Sequence, residues 1–245
     1  MATKRVVDLV FLVDVTGSMS PCIDGLKESI DKFFAYLTNE DENKSAIKDW
    51  RAKVVGYRDV EFDKDQWLVD NPFVRTADEI HQQLQSLVAK GGGDEPESLL
   101  DALLTLSDMG EAGLQDGDDP TKWRPRHSAA RAVVVFTDAT YHKEAVLEKY
   151  RGCDFKDVGR KIAEQRIILE IITPVNPADK GVNQADFEKC YEELAMTDKA
   201  EYCPLRTEQG IAFPFDEIPE HTGVFVEFVK QLAKTLSETI DPPEL

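Results

Sequence analysis

The most constraining feature of this chain is an apolar run from Val6 to Val13 that stops abruptly at Asp14. An unbroken run rich in Val, Leu and Phe is typical of a strand buried on both faces of a sheet. After Asp14 come a glycine turn that carries two hydroxyl side chains, Thr16 and Ser18, and then an amphipathic segment. This order predicts a strand–loop–helix unit with oxygen ligands at the carboxyl end of the strand, where open α/β sheets bind ligands.

Along the rest of the sequence, strand-like apolar runs alternate with segments of helical periodicity. Further strands are predicted at residues 52–57, 132–138, 167–172 and 201–203, with a short antiparallel edge strand at 66–70. Amphipathic helices are predicted at residues 21–37, 77–89, 156–165, 184–195 and 222–240. The alternation predicts a three-layer, doubly wound, Rossmann-like α/β fold with a mostly parallel sheet and helices on both faces. We expect one domain over residues 1–240 and a short acidic tail at 241–245.

A second buried-strand pattern, residues 132–136, also ends at a carboxylate, Asp138. Right-handed crossovers place the carboxyl ends of parallel strands at one edge of a sheet, so Asp14 and Asp138 should share that edge. Asp59 follows a third predicted strand at the same edge. A carboxylate with two neutral hydroxyl oxygens, as in the first loop, suits Mg²⁺, or Mn²⁺ in its place.

A glycine-rich, acidic stretch at residues 91–98 leads into another apolar helix. Its three glycines allow a close backbone approach, and we expect Asp94 to cap the helix with Pro96 in the first turn. Acidic residues at a helix start also complement the helix dipole, so this stretch alone is a weak functional signal.

Composition excludes several classes of function. The formal net charge is −18, which disfavours nucleic acid and anionic membranes because phosphate binding needs clustered Lys and Arg. No apolar run is long enough to span a bilayer, and we expect neither a signal peptide nor a disulfide framework. We therefore expect a cytoplasmic protein with free thiols.

Two segments carry a resemblance to a known family. Residues 14–18, Asp-Val-Thr-Gly-Ser, resemble the DxSGS motif of von Willebrand factor A domains, with Thr in place of the first Ser. Residues 134–138 resemble the second hallmark of that family, an apolar strand that ends in Thr-Asp. Residues 56–59 and 91–97 are similar to a subgroup that includes the A domain of alpha-kinases of the myosin heavy chain kinase type. No kinase domain is expected in this sequence.

The resemblance implies a metal-ion-dependent adhesion site that holds Mg²⁺, with Mn²⁺ or Ca²⁺ as substitutes. The positions that match its ligands are Asp14, Thr16, Ser18 and Asp138. The remaining family ligand, usually Thr, has no counterpart here, and Glu97 takes its place as in the A domains of integrin beta subunits. Asp94 would serve a neighbouring cation site or cap the helix, or exchange roles with Glu97.

The expected function is a non-enzymatic module that binds an Asp or Glu side chain of a protein partner through the metal ion. The residues expected to face that partner are Asp14, Ser18, Asp138 and His142. One alternative is a metal-dependent phosphoryl-transfer enzyme like the haloacid dehalogenases, although position 16 is Thr where those enzymes carry a general acid. Another alternative is a scaffold whose metal site is purely structural.

Overall fold

The structure, a computed structural model, describes residues 5–91, 96–113, 118–174, 182–196, 200–205 and 214–240. Its strands are β1 (Val6–Asp14), β2 (Asp49–Tyr57), β3 (Leu68–Asp70), β4 (Ala130–Phe136), β5 (Ile167–Thr173) and β6 (Ala200–Pro204). They form one sheet in the order β3-β2-β1-β4-β5-β6. Neighbouring strands run parallel except for β3, which is antiparallel to β2. The predicted mostly parallel sheet with an antiparallel edge strand is confirmed.

The helices lie on both faces of this sheet. They are α1 (Ser20–Thr38), α2 (Val60–Asp63), α3 (Ala77–Ser86), α4 (Leu99–Ser107), α5 (Phe155–Glu164), α6 (Gln184–Leu194) and α7 (Thr222–Thr239). Apolar residues of α1, α3 and α7 form one core with one face of the sheet, and those of α4, α5 and α6 form the other. The three-layer α/β arrangement predicted from the sequence is confirmed.

Strand β1 is central, and its side chains alternate between the two cores. Val7, Leu9 and Phe11 belong to the core with α1, whereas Val10 and Leu12 belong to the core with α4. All nine residues of β1 are buried. Covering helices on both faces explain why its sequence is a continuous apolar run rather than an alternating one.

The start of α4 differs from the prediction. The helix begins at Leu99 with Ser98 in the N-cap position, so Pro96 precedes the helix instead of lying in its first turn. Glu97 forms an isolated parallel β-bridge with Tyr141, and its backbone N–H donates to the carbonyl of Thr140 at 2.8 Å. This tertiary pairing holds the segment extended and delays the helix. Asp94, the predicted cap, lies outside the described residues.

Helix α3 also ends earlier than predicted, at Ser86 rather than at residue 89. Leu87 is extended, with φ −71° and ψ 127°. The guanidinium of Arg58 then donates to the carbonyls of Val88 and Lys90 at 2.7 Å and 3.1 Å. These carbonyls are satisfied by a distant side chain, which removes the advantage of continuing the helix.

The long connection before β4 is anchored at the amino end of the sheet. Trp123 is fully buried, and its Nε1 donates to the carbonyl of Leu106 at 2.9 Å. Its role is therefore to anchor the loop. No helix among the described residues has both the length and the apolar content to cross a membrane.

Candidate functional site

The carboxyl end of β1 carries a fully buried carboxylate, Asp14. Its Oδ1 accepts hydrogen bonds from the backbone N–H of Thr16 at 2.9 Å and from the Thr16 hydroxyl at 2.8 Å. Its Oδ2 accepts from the hydroxyl of Thr137 at 3.1 Å. Val13 pairs with Phe136 across the two strands, which is why Thr137 reaches Asp14. The two predicted strand ends thus meet at one edge.

The hydroxyls of the first loop lie together beside Asp14. The Thr16 and Ser18 hydroxyl oxygens are 3.4 Å apart. Thr16 is buried, whereas Ser18 is exposed. The backbone N–H of Gly17 donates to the carbonyl of Gly91 at 3.2 Å, which brings the first loop against the glycine-rich loop. A Cβ at Gly17 would stand 3.4 Å from that carbonyl oxygen, so a small residue favours the close approach.

Glu97 is a buried acid with 3 % of its surface exposed, and its Oε2 has no hydrogen-bond partner. The pKa of Glu97 is raised to about 9, chiefly by burial and then, in decreasing order, by the charges of Asp14, Asp59, Asp63 and Asp138. Glu97 therefore lies in the electrostatic field of two other predicted ligands. A buried acid among acids is favourable only when protonated or when a cation is present.

Asp138 directly follows Thr137 and is 4 % exposed. Its charge, together with that of Asp14, raises the pKa of the buried Cys22 thiol, although burial of the thiol is the larger cause. Burial likewise raises the pKa of Tyr57, with the charge of Asp14 as the next cause. These effects indicate that Asp14 and Asp138 act on the same small volume at the sheet edge.

Asp59 is marked in the sequence only as a carboxylate after β2, yet it is central to this edge. Its Oδ1 accepts from the backbone N–H of Glu61 at 2.8 Å and from the Ser98 hydroxyl at 3.2 Å. The same oxygen lies 3.2 Å from Nε2 of His142. Asp59 Oδ2 is buried without a hydrogen-bond partner.

Arg58 connects three loops of the site through backbone carbonyls. Besides Val88 and Lys90, its guanidinium donates to the carbonyls of Val15 at 3.3 Å and Gln66 at 3.0 Å. It was not among the predicted site residues, and the one signal for it in the sequence is its position directly after a buried strand. Its contacts assign it a structural role, which is to hold the loop after β1 next to the glycine-rich loop.

Two groups of three metal-ligating side chains among the described residues have their ligand atoms within 4.8 Å of one another. One group is Asp59, Glu61 and His142, and the other is Glu170, Glu201 and Cys203. Asp14, Glu97 and Asp138, the predicted acidic ligands that the structure describes, do not form such a group.

Comparison with known protein sequences supports the family resemblance. Residues 8–109 match the family model of the von Willebrand factor A domain. The alpha-protein kinase vwkA of Dictyostelium discoideum is 28 % identical over 151 residues, which are 60 % of this chain and 21 % of that protein. The chain thus spans about a fifth of the length of this curated relative. The predicted resemblance to von Willebrand factor A domains is confirmed.

Similar solved structures extend the likeness of the fold over nearly the whole chain. The pilus adhesin SpaC of Lactobacillus rhamnosus GG, in its open conformation, superposes with a TM-score of 0.63 at 10 % identity, covering 98 % of this chain and 31 % of SpaC. Proximal thread matrix protein 1 of the mussel byssus superposes with a TM-score of 0.53 at 16 % identity, covering 95 % of this chain and 49 % of that protein. Identities this low show a shared fold alone.

Proposed function

We propose that this protein, whose residues 8–109 match the von Willebrand factor A domain family, is a protein-interaction module that uses Mg²⁺ to bind an acidic side chain of its partner. Mn²⁺ or Ca²⁺ would substitute for Mg²⁺. We propose no catalytic step, and from the composition of the sequence we place the interaction in the cytoplasm.

The observation that carries the proposal is the buried, unpartnered Oε2 of Glu97 beside other carboxylates. Burying a charge without a partner is costly, and removing the charge by protonation is one of only two remedies. The other remedy is a cation. A divalent ion at this edge would hold Glu97 ionised and would reverse the sign of the local field.

The side-chain oxygens at this edge of the sheet are the type of ligand that Mg²⁺ prefers. Carboxylate and hydroxyl oxygens are offered by Asp14, Thr16, Ser18, Glu97 and Asp138. Asp94 remains a proposed ligand, either of a neighbouring cation site or in exchange with Glu97. Mg²⁺ prefers an octahedral oxygen shell and keeps several waters, which leaves exchangeable positions. When bound, the ion would supply the positive charge that attracts an incoming carboxylate.

The partner would approach from the exposed side of the site. We propose that Asp14, Ser18, Asp138 and His142 face it. Ser18 is exposed and the side chain of His142 is 17 % exposed, so both can contact a partner directly. Asp14 and Asp138 are buried and would act through the ion. With a net charge of −18, the protein would repel an acidic partner without such a cation.

The hydrolase alternative receives less support from the site. A haloacid dehalogenase-like mechanism needs a general acid at the position of Thr16, whereas the Thr16 hydroxyl donates to Asp14 Oδ1. A hydroxyl that donates a hydrogen bond to Asp14, the nucleophile in such a mechanism, lowers the nucleophilicity of the carboxylate oxygen that accepts it. The second alternative, a scaffold with a purely structural ion, predicts the same metal binding without any metal-dependent partner.

The test has two stages. In the first, protein stripped with EDTA is titrated with Mg²⁺ by calorimetry as wild type, Asp14→Ala and Asp31→Ala, the last being a matched change at an exposed acid on α1. We expect binding to be lost in Asp14→Ala and retained in Asp31→Ala. Equal binding by all three proteins would refute the site.

In the second stage, an array of peptides that contain Asp or Glu is compared with an array in which these are Asn or Gln. We expect capture of acidic peptides in Mg²⁺ and not in EDTA or by Asp14→Ala. Metal binding without acid-dependent capture would favour the scaffold. Turnover of a generic phosphate ester that is abolished in Asp14→Ala would favour the hydrolase.

A further inference from the structure

We propose a second cation site, formed by Asp59, Glu61 and His142, that takes a divalent ion of the Zn²⁺ class beside the proposed Mg²⁺ site. The ligand atoms of these three side chains lie within 4.8 Å of one another. Asp59 caps the short helix α2, Glu61 lies in its first turn, and His142 follows β4 on a separate loop. The proposal does not depend on Mg²⁺ being bound next to it.

Backbone pairing fixes the distance between the two loops that carry the ligands. The carbonyl of Glu97 accepts a hydrogen bond from the backbone N–H of His142 at 3.1 Å, and the N–H of Glu97 donates to Thr140. The hydroxyl of Ser98 accepts from the N–H of Val60 at 3.0 Å and donates to Asp59 Oδ1 at 3.2 Å. The segment 97–98 therefore links both loops, and Asp59 and His142 are held in place before any ion binds.

The unsatisfied Oδ2 of Asp59 is an independent indication that this site binds a cation. Asp59 is 3 % exposed, and while Oδ1 has three neighbours at hydrogen-bond distance, Oδ2 is buried without a partner. Leaving a buried polar atom unsatisfied is costly, and more so when the atom carries charge. A cation that contacts both oxygens of Asp59 would remove that cost, whereas a simple ion pair between Oδ1 and His142 does not.

The donor set selects the class of ion. Imidazole nitrogen is a ligand for Zn²⁺ and its neighbours in the transition series, whereas Mg²⁺ and Ca²⁺ take oxygen. Two ligands at about 2.0 Å from a tetrahedral ion are about 3.3 Å apart. The 3.2 Å between His142 Nε2 and Asp59 Oδ1 is close to that value. Glu61 is exposed and can rotate inward, and a water would complete the four-coordinate shell.

The experiment separates the two sites by metal. The intact protein, stripped of metal and held in saturating Mg²⁺, is titrated with Co²⁺, whose visible absorption reports coordination geometry, and with Zn²⁺ in calorimetry. We expect saturable binding with a tetrahedral Co²⁺ spectrum. Loss of an outer-shell partner weakens metal sites about 10- to 100-fold, so loss of the direct ligand in His142→Ala should weaken Zn²⁺ binding at least that much. Glu61→Gln should weaken it about tenfold.

Three further variants make the result specific. His127→Ala changes an exposed histidine elsewhere and should bind Zn²⁺ as wild type does. Asp14→Ala should keep Zn²⁺ and lose Mg²⁺, which distinguishes failure of this site from failure of the proposed function. Cys203→Ser tests the other three-residue group.

The proposal is overturned if wild type shows no saturable Zn²⁺ binding, or if Cys203→Ser abolishes binding while His142→Ala retains it. Because Glu61 is exposed, Glu61→Gln should fold normally even if His142→Ala does not. If neither Glu61→Gln nor His142→Ala changes the Zn²⁺ affinity, the proposed site does not bind the ion. The contact between Asp59 and His142 is then only an ion pair.

Discussion

The two ends of strand β1 each carry a fully buried aspartate, and the described surroundings of the two carboxylates are opposite. At the amino end, Asp8 accepts hydrogen bonds from the guanidinium of Arg51 at 2.9 Å. It also accepts from the side chain and the backbone N–H of Arg124, both at 2.6 Å. At the carboxyl end, the donors described for Asp14 are hydroxyls and a backbone N–H. The same residue type on one strand thus meets arginines at one end and neutral donors at the other.

This contrast is the one expected between a structural acid, Asp8, and an acid that we propose as a ligand of a metal ion, Asp14. The arginines around Asp8 are themselves satisfied, since Arg51 also donates to the carbonyl of Asp119 and Arg124 to that of Val7. That network is complete without any further partner. At the other end, Glu97 and Asp59 each retain a buried oxygen without a partner, so the carboxyl edge has negative charge that a cation can balance.

The largest expected effect is on stability at the amino end. In Asp8→Ala, two buried guanidinium groups lose their common acid, and removing one partner of a buried ion pair costs about 3–5 kcal/mol. We expect the free energy of unfolding in urea to fall by about that amount. Mg²⁺ affinity of the folded variant should stay near wild type. An Asp8→Ala protein that keeps its stability but loses Mg²⁺ would reverse the assignment of the two ends.

The next effect concerns metal at the carboxyl end. If the folded protein binds Mg²⁺ and the unfolded protein does not, Mg²⁺ at 100 times its dissociation constant stabilises the fold by about 2.7 kcal/mol. We expect a rise in the melting temperature of wild type and Asp8→Ala on adding Mg²⁺, and no rise for Asp14→Ala. Equal shifts for Asp14→Ala would show that the ion binds elsewhere.

Glu97 should have opposite effects on stability and on binding. Glu97→Thr removes a buried acid whose pKa is raised to about 9, chiefly by burial, so the metal-free protein should become more stable at neutral pH. The same change removes a charged ligand, and we expect Mg²⁺ affinity to fall about tenfold, or about 1.4 kcal/mol. Calorimetry that finds unchanged affinity would remove Glu97 from the ligand set.

The contrast between the two ends of β1 also marks how far sequence reasoning reaches. Strand ends are local features, and the carboxylates Asp14 and Asp138 could be placed at one edge because apolar runs stop at them. The contacts of Asp8 with Arg124 and of Asp59 with His142 join residues far apart in the sequence. No local pattern predicts which loop returns to a given strand end.

The same limit explains the error at α4. Pro96 and the acids around it are a good local signal for a helix start. The β-bridge between Glu97 and Tyr141 overrides that signal, and it depends on a loop that follows β4. Tertiary pairing therefore decides where a helix begins when local preference is modest.

The smallest expected effect, measured per pH unit, concerns another buried acid, Glu170 on β5, whose described hydrogen-bond partner is a thiol, Cys203, at 3.7 Å. The pKa of Glu170 is raised to about 7, chiefly by burial and then by the charge of Glu201. Between its ordinary value of 4.5 and about 7, the folded protein holds a proton that the unfolded protein has lost. The contribution of Glu170 to stability is therefore full below pH 4.5 and is lost as pH rises through 7.

Denaturation of wild type and Glu170→Gln across about pH 4.5–8 measures this contribution as the difference between the two proteins. We expect wild type to lose stability relative to Glu170→Gln as pH rises, by less than about 1.4 kcal/mol per pH unit. A parallel pH dependence in both proteins would mean that a positively charged partner balances the charge of Glu170, as the arginines do for Asp8. A slope that disappears on adding Zn²⁺ would instead show that an ion balances the charge of Glu170, as we propose for the acids of the carboxyl edge.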